Sequence, residues 1–134
     1  MSPMSLEIPT VFDYNGKQFE FDFRDADNAE RYEDAIKKME SEEKELEKEG
    51  SASVIIRGQC AFLKRFFDRV LGDGAGKAIC GERDNLMCCY NAYDAFLSFV
   101  REQSKSMLEY KNSFGKYSNR QQRRHPPRND EHSA

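Results

Sequence analysis

Apolar and polar residues alternate from Ile8 to Phe23 around the dipeptide Asn15-Gly16. A period of two places successive side chains on opposite faces of a strand, and Asn-Gly favours a two-residue turn whose central residues both have positive φ. With Tyr14 facing Lys17, the next pairs are Phe12 with Phe19, Thr10 with Phe21 and Ile8 with Phe23. The hairpin so formed carries Ile8, Phe12, Phe19, Phe21 and Phe23 on one face. Asp13, Gln18, Glu20 and Asp22 lie on the other. A two-stranded sheet with one dry face needs a cover.

The period then changes to that of a helix. Asp25 or Asp27 can cap a segment whose apolar stripe is Ala29, Tyr32, Ile36, Met39 and Leu46, interrupted by Glu43. Its second half, SEEKELEKE, reads as a charged helix end projecting past the core. A second helix over about 52–71 has a wide stripe of Ile55, Ile56, Phe62, Leu63, Phe66, Phe67 and Val70, and Gly72 stops it. Residues 73–81 read as a flexible connection anchored at Ile79-Cys80. A third helix follows, capped by Asp84 or Asn85 and running to about Tyr110. Leu86, Cys89, Tyr90, Tyr93, Phe96, Leu97 and Val100 make its stripe, which resumes at Met107 and Leu108.

These elements predict an α+β fold, mainly α, in which an N-terminal β-hairpin packs on three helices, the second and third antiparallel. The expected core is Phe19, Phe21, Ile56, Phe62, Phe66, Phe67, Tyr93, Phe96 and Val100. Residues 1–7 form a flexible N-terminus, 8–114 a single domain, and 115–134 a disordered basic tail without apolar periodicity. A chain of 134 residues suits one domain of this kind.

Charge changes the picture only locally. The net charge of −3 conceals an excess of acids between Asp25 and Gly50 and an excess of bases from Lys111 onward. Cys60, Cys80, Cys88 and Cys89 form no C-x-x-C pair, and three of them lie within apolar stretches. The start of the chain has no basic cluster followed by an apolar core, and no run is long enough to span a bilayer. Free thiols without an export signal imply the reducing cytoplasm.

Candidate chemistry is mostly excluded. The run from Gly72 to Lys77 superficially suggests a phosphate loop. Leu71 stands where that motif needs glycine, and Ala78 where it needs a hydroxyl to ligate Mg²⁺. His125 and His132 are far in sequence from the cysteines, so no zinc spacing occurs. No acid–base pair or activated nucleophile is identifiable. The sequence therefore implies a protein that is not an enzyme and carries no cofactor or metal.

One stretch carries a resemblance. Phe67, Asp68, Leu71, Gly72, Gly74, Ile79, Gly81, Asn85, Leu86, Tyr93 and Phe96 form an aromatic-Asp-x-x-aliphatic-Gly-x-Gly element leading through an apolar anchor to a capped aromatic helix. The pattern resembles small proteins of tailed bacteriophages and prophages of Gram-positive bacteria, as do the opening FDYNGKQFEF and the basic run Asn119–Arg124. In size and design these look like tail assembly chaperones. The resemblance implies a non-enzymatic factor in the bacterial host cytoplasm that binds the tape measure protein and helps recruit tail tube subunits. Candidate partner contacts are Tyr32, Ile36 and Met39 on the first helix, and Gly72, Gly74, Gly76 and Ile79 in the connection. The plainer reading is that both groups simply stabilise this fold or a homo-oligomer. The alternative function is a nucleic-acid-binding regulator acting through Arg120, Arg123, Arg124 and Arg128, which the weak positive cluster makes the lesser reading.

Overall fold

The computed structural model describes residues 8–122, and the side chains of residues 8–113. Strands β1 (Val11–Tyr14) and β2 (Lys17–Glu20) pair antiparallel in the register that the turn dipeptide dictates, Phe12 with Phe19 and Tyr14 with Lys17. Asn15 and Gly16 take φ of 53° and 74°, as that turn requires. The pairing continues past β2, where the Phe21 N–H donates to the Thr10 carbonyl at 2.8 Å.

Four helices follow: α1 (Ala26–Glu43), α2 (Ala52–Leu71), α3 (Ala75–Cys80) and α4 (Leu86–Gln122). Asp25 caps α1 by accepting from the Asp27 N–H, and Ser51 caps α2 by accepting from that of Val54. Asn85 does the same for α4 through the Cys88 N–H at 3.0 Å. The mainly helical fold with an N-terminal hairpin is the one the patterning implies.

Five details differ. Helix α1 ends at Glu43, and the chain turns so that Leu46 comes back against the core. The charged run is also not wholly solvated. Glu42 accepts from both Arg69 and Arg65 of α2, and the Arg69 hydrogen bond holds its carboxyl below the usual range. Residues 75–80 are a helix instead of a flexible connection, with Ala75, Gly76, Ile79 and Cys80 buried. Asp68 accepts from the Gly76 N–H at 2.7 Å, while a Cβ on Gly76 would lie 2.3 Å from the Lys64 carbonyl oxygen. Only glycine lets α3 lie this close to α2.

That close return overturns the antiparallel pair. From Gly72 the chain doubles back along α2, so that Asp84 reaches Lys64 at 3.1 Å and Arg57 at 3.8 Å. Helix α4 therefore starts beside the first half of α2. Its contacts climb in the same direction: Tyr90 with Gln59, then Tyr93 and Phe96 with Phe66. Helices α2 and α4 are parallel, with α3 as the return. Finally, α4 outruns the expected end at Tyr110 and passes through the position where a disordered tail was expected to begin. Residues 1–7 and 123–134 lie outside the described residues.

The core sits where the hairpin, α1, α2 and α4 meet. Phe66, Phe67 and Phe96 are fully buried, and Phe12 and Phe21 of the hairpin close over Phe96 at ring-centroid distances of 5.1 and 5.5 Å. Of the expected core, Phe21, Phe62, Phe66, Phe67, Phe96 and Val100 are buried, while Phe19, Ile56 and Tyr93 are half-buried against it.

Candidate functional site

The candidate contacts divide on folding. Met39 is buried, and Tyr32 and Ile36 are half-buried against the core, so most of the α1 stripe is used by this fold. Tyr32 lies over Phe66 and Phe96, and the Tyr93 hydroxyl donates to the Met39 sulfur at 3.4 Å. Gly72 and Gly74 are exposed, but Gly76 and Ile79 are buried, and the Ile79 carbonyl accepts from Asn15 of the hairpin turn. Met39, Gly76 and Ile79 are thus unavailable to a partner, because α3 is a packed helix and α1 covers the aromatic core. Arg120 lies on the backbone of α4, whereas Arg123, Arg124 and Arg128 lie outside the described residues.

Most of the exposed large apolar side chains among the described residues lie along α4. The spacing of three and four that defines its buried seam runs Leu86, Cys89, Tyr93, Phe96, Val100, Gln103 and then Met107 and Tyr110. Up to Gln103 these positions are buried or half-buried. From Met107 to Ser113 every residue is exposed, and Met107, Leu108 and Tyr110 are large apolar side chains 40–57% accessible. The same spacing continues in the sequence through Phe114 and Tyr117. The seam that builds the core therefore leaves the fold with nothing over it among the described residues.

Two shallow grooves border α4 before that point. One, of about 290 Å³, lies between α1, α2 and α4 and is lined by Ile36, Met39, Leu46, Tyr90 and Tyr93, with Glu40 and Glu43 at its edge. Burial raises the Tyr93 phenol, and Tyr32, Asp94, Glu40 and Glu43 push the same way, so this end of the crevice is acidic. The other, of about 310 Å³, is bounded by Phe23, Tyr32, Leu97, Val100, Arg101 and Ser104.

Gln103, which the apolar pattern passes over, is fully buried at the join of hairpin and helix. Its Oε1 accepts from the Phe23 N–H at 2.7 Å, and its Nε2 donates to the carbonyls of Phe21 and Pro9. This side chain fixes the hairpin on α4 and leaves no open polar group for chemistry.

The cysteines also divide. Cys60, Cys80 and Cys89 are buried free thiols near one another, whereas Cys88 is exposed. Among the described residues no three His, Cys, Asp or Glu side chains are placed to hold a metal ion. Burial pushes Cys60 up to about 12 and Cys89 up to about 11, and raises Cys80 as well. Native chain at neutral pH should therefore give a single fast-reacting thiol, Cys88, against all four in denaturant. Mass analysis after brief maleimide treatment checks this, and rapid labelling of Cys60 or Cys89 would contradict it. The three buried thiols hold their protons more tightly folded than unfolded. Their contribution to stability is whole below the ordinary thiol range and drains away as pH rises from about 9 through 11–12.

A family of unknown function, DUF6673, matches residues 15–127. The chain belongs to that family. The matched span opens in the hairpin turn and takes in all four helices, including the exposed part of α4. No curated protein and no solved structure matches the chain. Among the described residues, no helix is long and apolar enough to cross a membrane.

Proposed function

We propose that the chain is a non-enzymatic assembly factor that receives a helical partner along the exposed continuation of the α4 seam. The observation that carries this reading is the passage of one apolar stripe from buried to bare between Gln103 and Met107. A helix leaving the core with large apolar side chains gains little from its own fold, because most helical stability comes from packing a face. A second helix laid on Met107 and Tyr110 supplies that packing by a seam-to-seam contact. Following the resemblance to phage tail assembly chaperones, the partner is the tape measure protein, with tail tube subunits recruited afterwards. Such a partner is long and helical, and its apolar seams need cover before the tube encloses them. The contact region is thus α4 beyond Gln103, in place of the α1 stripe and the glycine-rich turn.

Co-expression tests the proposal. The tape measure protein should become soluble and co-purify with this chain. The double variant Met107→Asp, Tyr110→Asp should lose the partner while keeping the parent's melting temperature, since both positions are exposed. Failure to retain any tail protein overturns the assignment. Nucleic-acid affinity that survives moderate salt would favour the basic-tail regulator instead.

A further inference from the structure

A second stripe on α4 is complementary to itself. Tyr90, Asp94, Leu97, Arg101, Ser104, Leu108, Lys111 and Gly115 follow one another at steps of four and three, the period of a helix-pairing seam. This face lies beside the Met107–Tyr110 seam and is distinct from it. Asp94, Arg101, Leu108 and Lys111 are exposed, Tyr90 is 39% accessible, and Leu97 and Ser104 are half-buried at the rim of the groove beneath Phe23 and Tyr32.

We infer that a second copy of this chain covers the stripe, with the two α4 helices antiparallel about an axis between Glu102 and Gln103. Reversing the helix about that point brings every position level with a suitable one. Asp94 meets Lys111, Leu97 meets Leu108, Arg101 meets Ser104, and Tyr90 meets Gly115. Charge opposes charge, the exposed leucine reaches the groove its counterpart lines, and the bulkiest side chain faces the residue without one. Lys111 also approaches the acidic end of the crevice, where Glu40 and Glu43 join Asp94 around Tyr93. Within one molecule this contact is out of reach. Lys111 stands about 25 Å along the same helix from Asp94, at a 1.5 Å rise per residue. A parallel pairing would instead set Lys111 against Lys111 and Asp94 against Asp94.

The stripe from Tyr90 to Gly115 extends over about 37 Å of helix, long enough for a pairing of ordinary interface size. Such a two-fold contact is isologous and closes at two copies. The Met107–Tyr110 seam stays outside the stripe, so the dimer presents it twice, pointing in opposite directions. The inference rests on spacing, exposure and charge, and does not depend on the phage partner.

Sedimentation of the full chain by itself tests it. A dimer is expected, and Leu108→Asp should convert it to monomer with the helical circular dichroism of the core retained. Lys111→Glu and Asp94→Lys should each raise the dimer dissociation constant about tenfold or more, because symmetry repeats every exposed pair. Combining the two exchanges the charges and should return the constant to within a few-fold of the parent's. A parent chain that is monomeric at all concentrations overturns the inference. So does a dimer indifferent to Leu108→Asp, or one that the charge exchange does not restore.

Discussion

Replacing Phe66 by Ala is expected to lower the free energy of unfolding by about 3–5 kcal/mol, the range for emptying a large aromatic site. Phe66 is fully buried and stands at the centre of the ring cluster. Tyr93 lies 5.3 Å away between centroids, Phe67 5.6 Å, Phe96 6.0 Å and Tyr32 6.1 Å. These four rings come from α1, α2 and α4, so the cavity would open where three helices meet. Rings fixed by their own helices collapse poorly into such a space, which places the cost toward the upper end. Domains of this size have only about 5–15 kcal/mol in hand, and the variant should be marginal at 37 °C. Urea melts check this: the midpoint should fall while the slope stays near the parent's. A loss below about 1.5 kcal/mol, the least expected for burying such a side chain, would mean that the cluster is not the centre of the core.

The elements that the sequence displayed most clearly were those whose partners are adjacent in the chain. Asn15-Gly16 sets the hairpin register by itself, and the alternation of Phe12, Phe19 and Phe21 says which face is dry. The bounds of α2 were equally plain, because a wide apolar stripe over about 52–71 runs up to Gly72, and the structure adds Ser51 as its cap. The α2–α4 direction was not legible. It depends on whether the Gly72–Gly81 stretch is slack or packed, and that is decided by one approach, Gly76 against the Lys64 backbone. A glycine needed for contact looks the same in sequence as a glycine needed for a turn. The candidate site was hidden for a related reason. Tyr32, Ile36 and Met39 stood out as a narrow stripe and as candidate contacts, yet Tyr32 packs on Phe66, Met39 on Tyr93, and Ile36 against the core. The bare seam on α4 was visible as spacing, but its exposure follows from where the fold stops. Only the position of the hairpin and α1 fixes that boundary near Gln103.

Gln103 itself gives the sharpest test of that boundary. Changing it to Leu keeps roughly the volume and increases the apolar character of a buried position, so a core governed by hydrophobicity alone would tolerate the exchange. The expected result is instead a loss of about 2–4 kcal/mol, since buried polar groups left without partners cost about 1–3 kcal/mol each. Leucine cannot donate to the Phe21 carbonyl, whose hydrogen bond to Gln103 is buried, and it cannot accept from the Phe23 N–H, whose bond is part-buried and adds a smaller share. Pro9 is exposed, and water can replace the third bond at little cost. Gln103→Glu should be worse. It retains an acceptor for Phe23, loses both donations, and places a carboxylate among carbonyl oxygens in a dry site. Hydrogen exchange locates the damage. Amides of Phe21 and Phe23 should lose protection first, at denaturant concentrations where α2 still holds its own. That order would show the C-terminal end of the hairpin held to α4 by this side chain. Stability within 1 kcal/mol of the parent's, or simultaneous loss of protection in hairpin and α2, would refute the clamp.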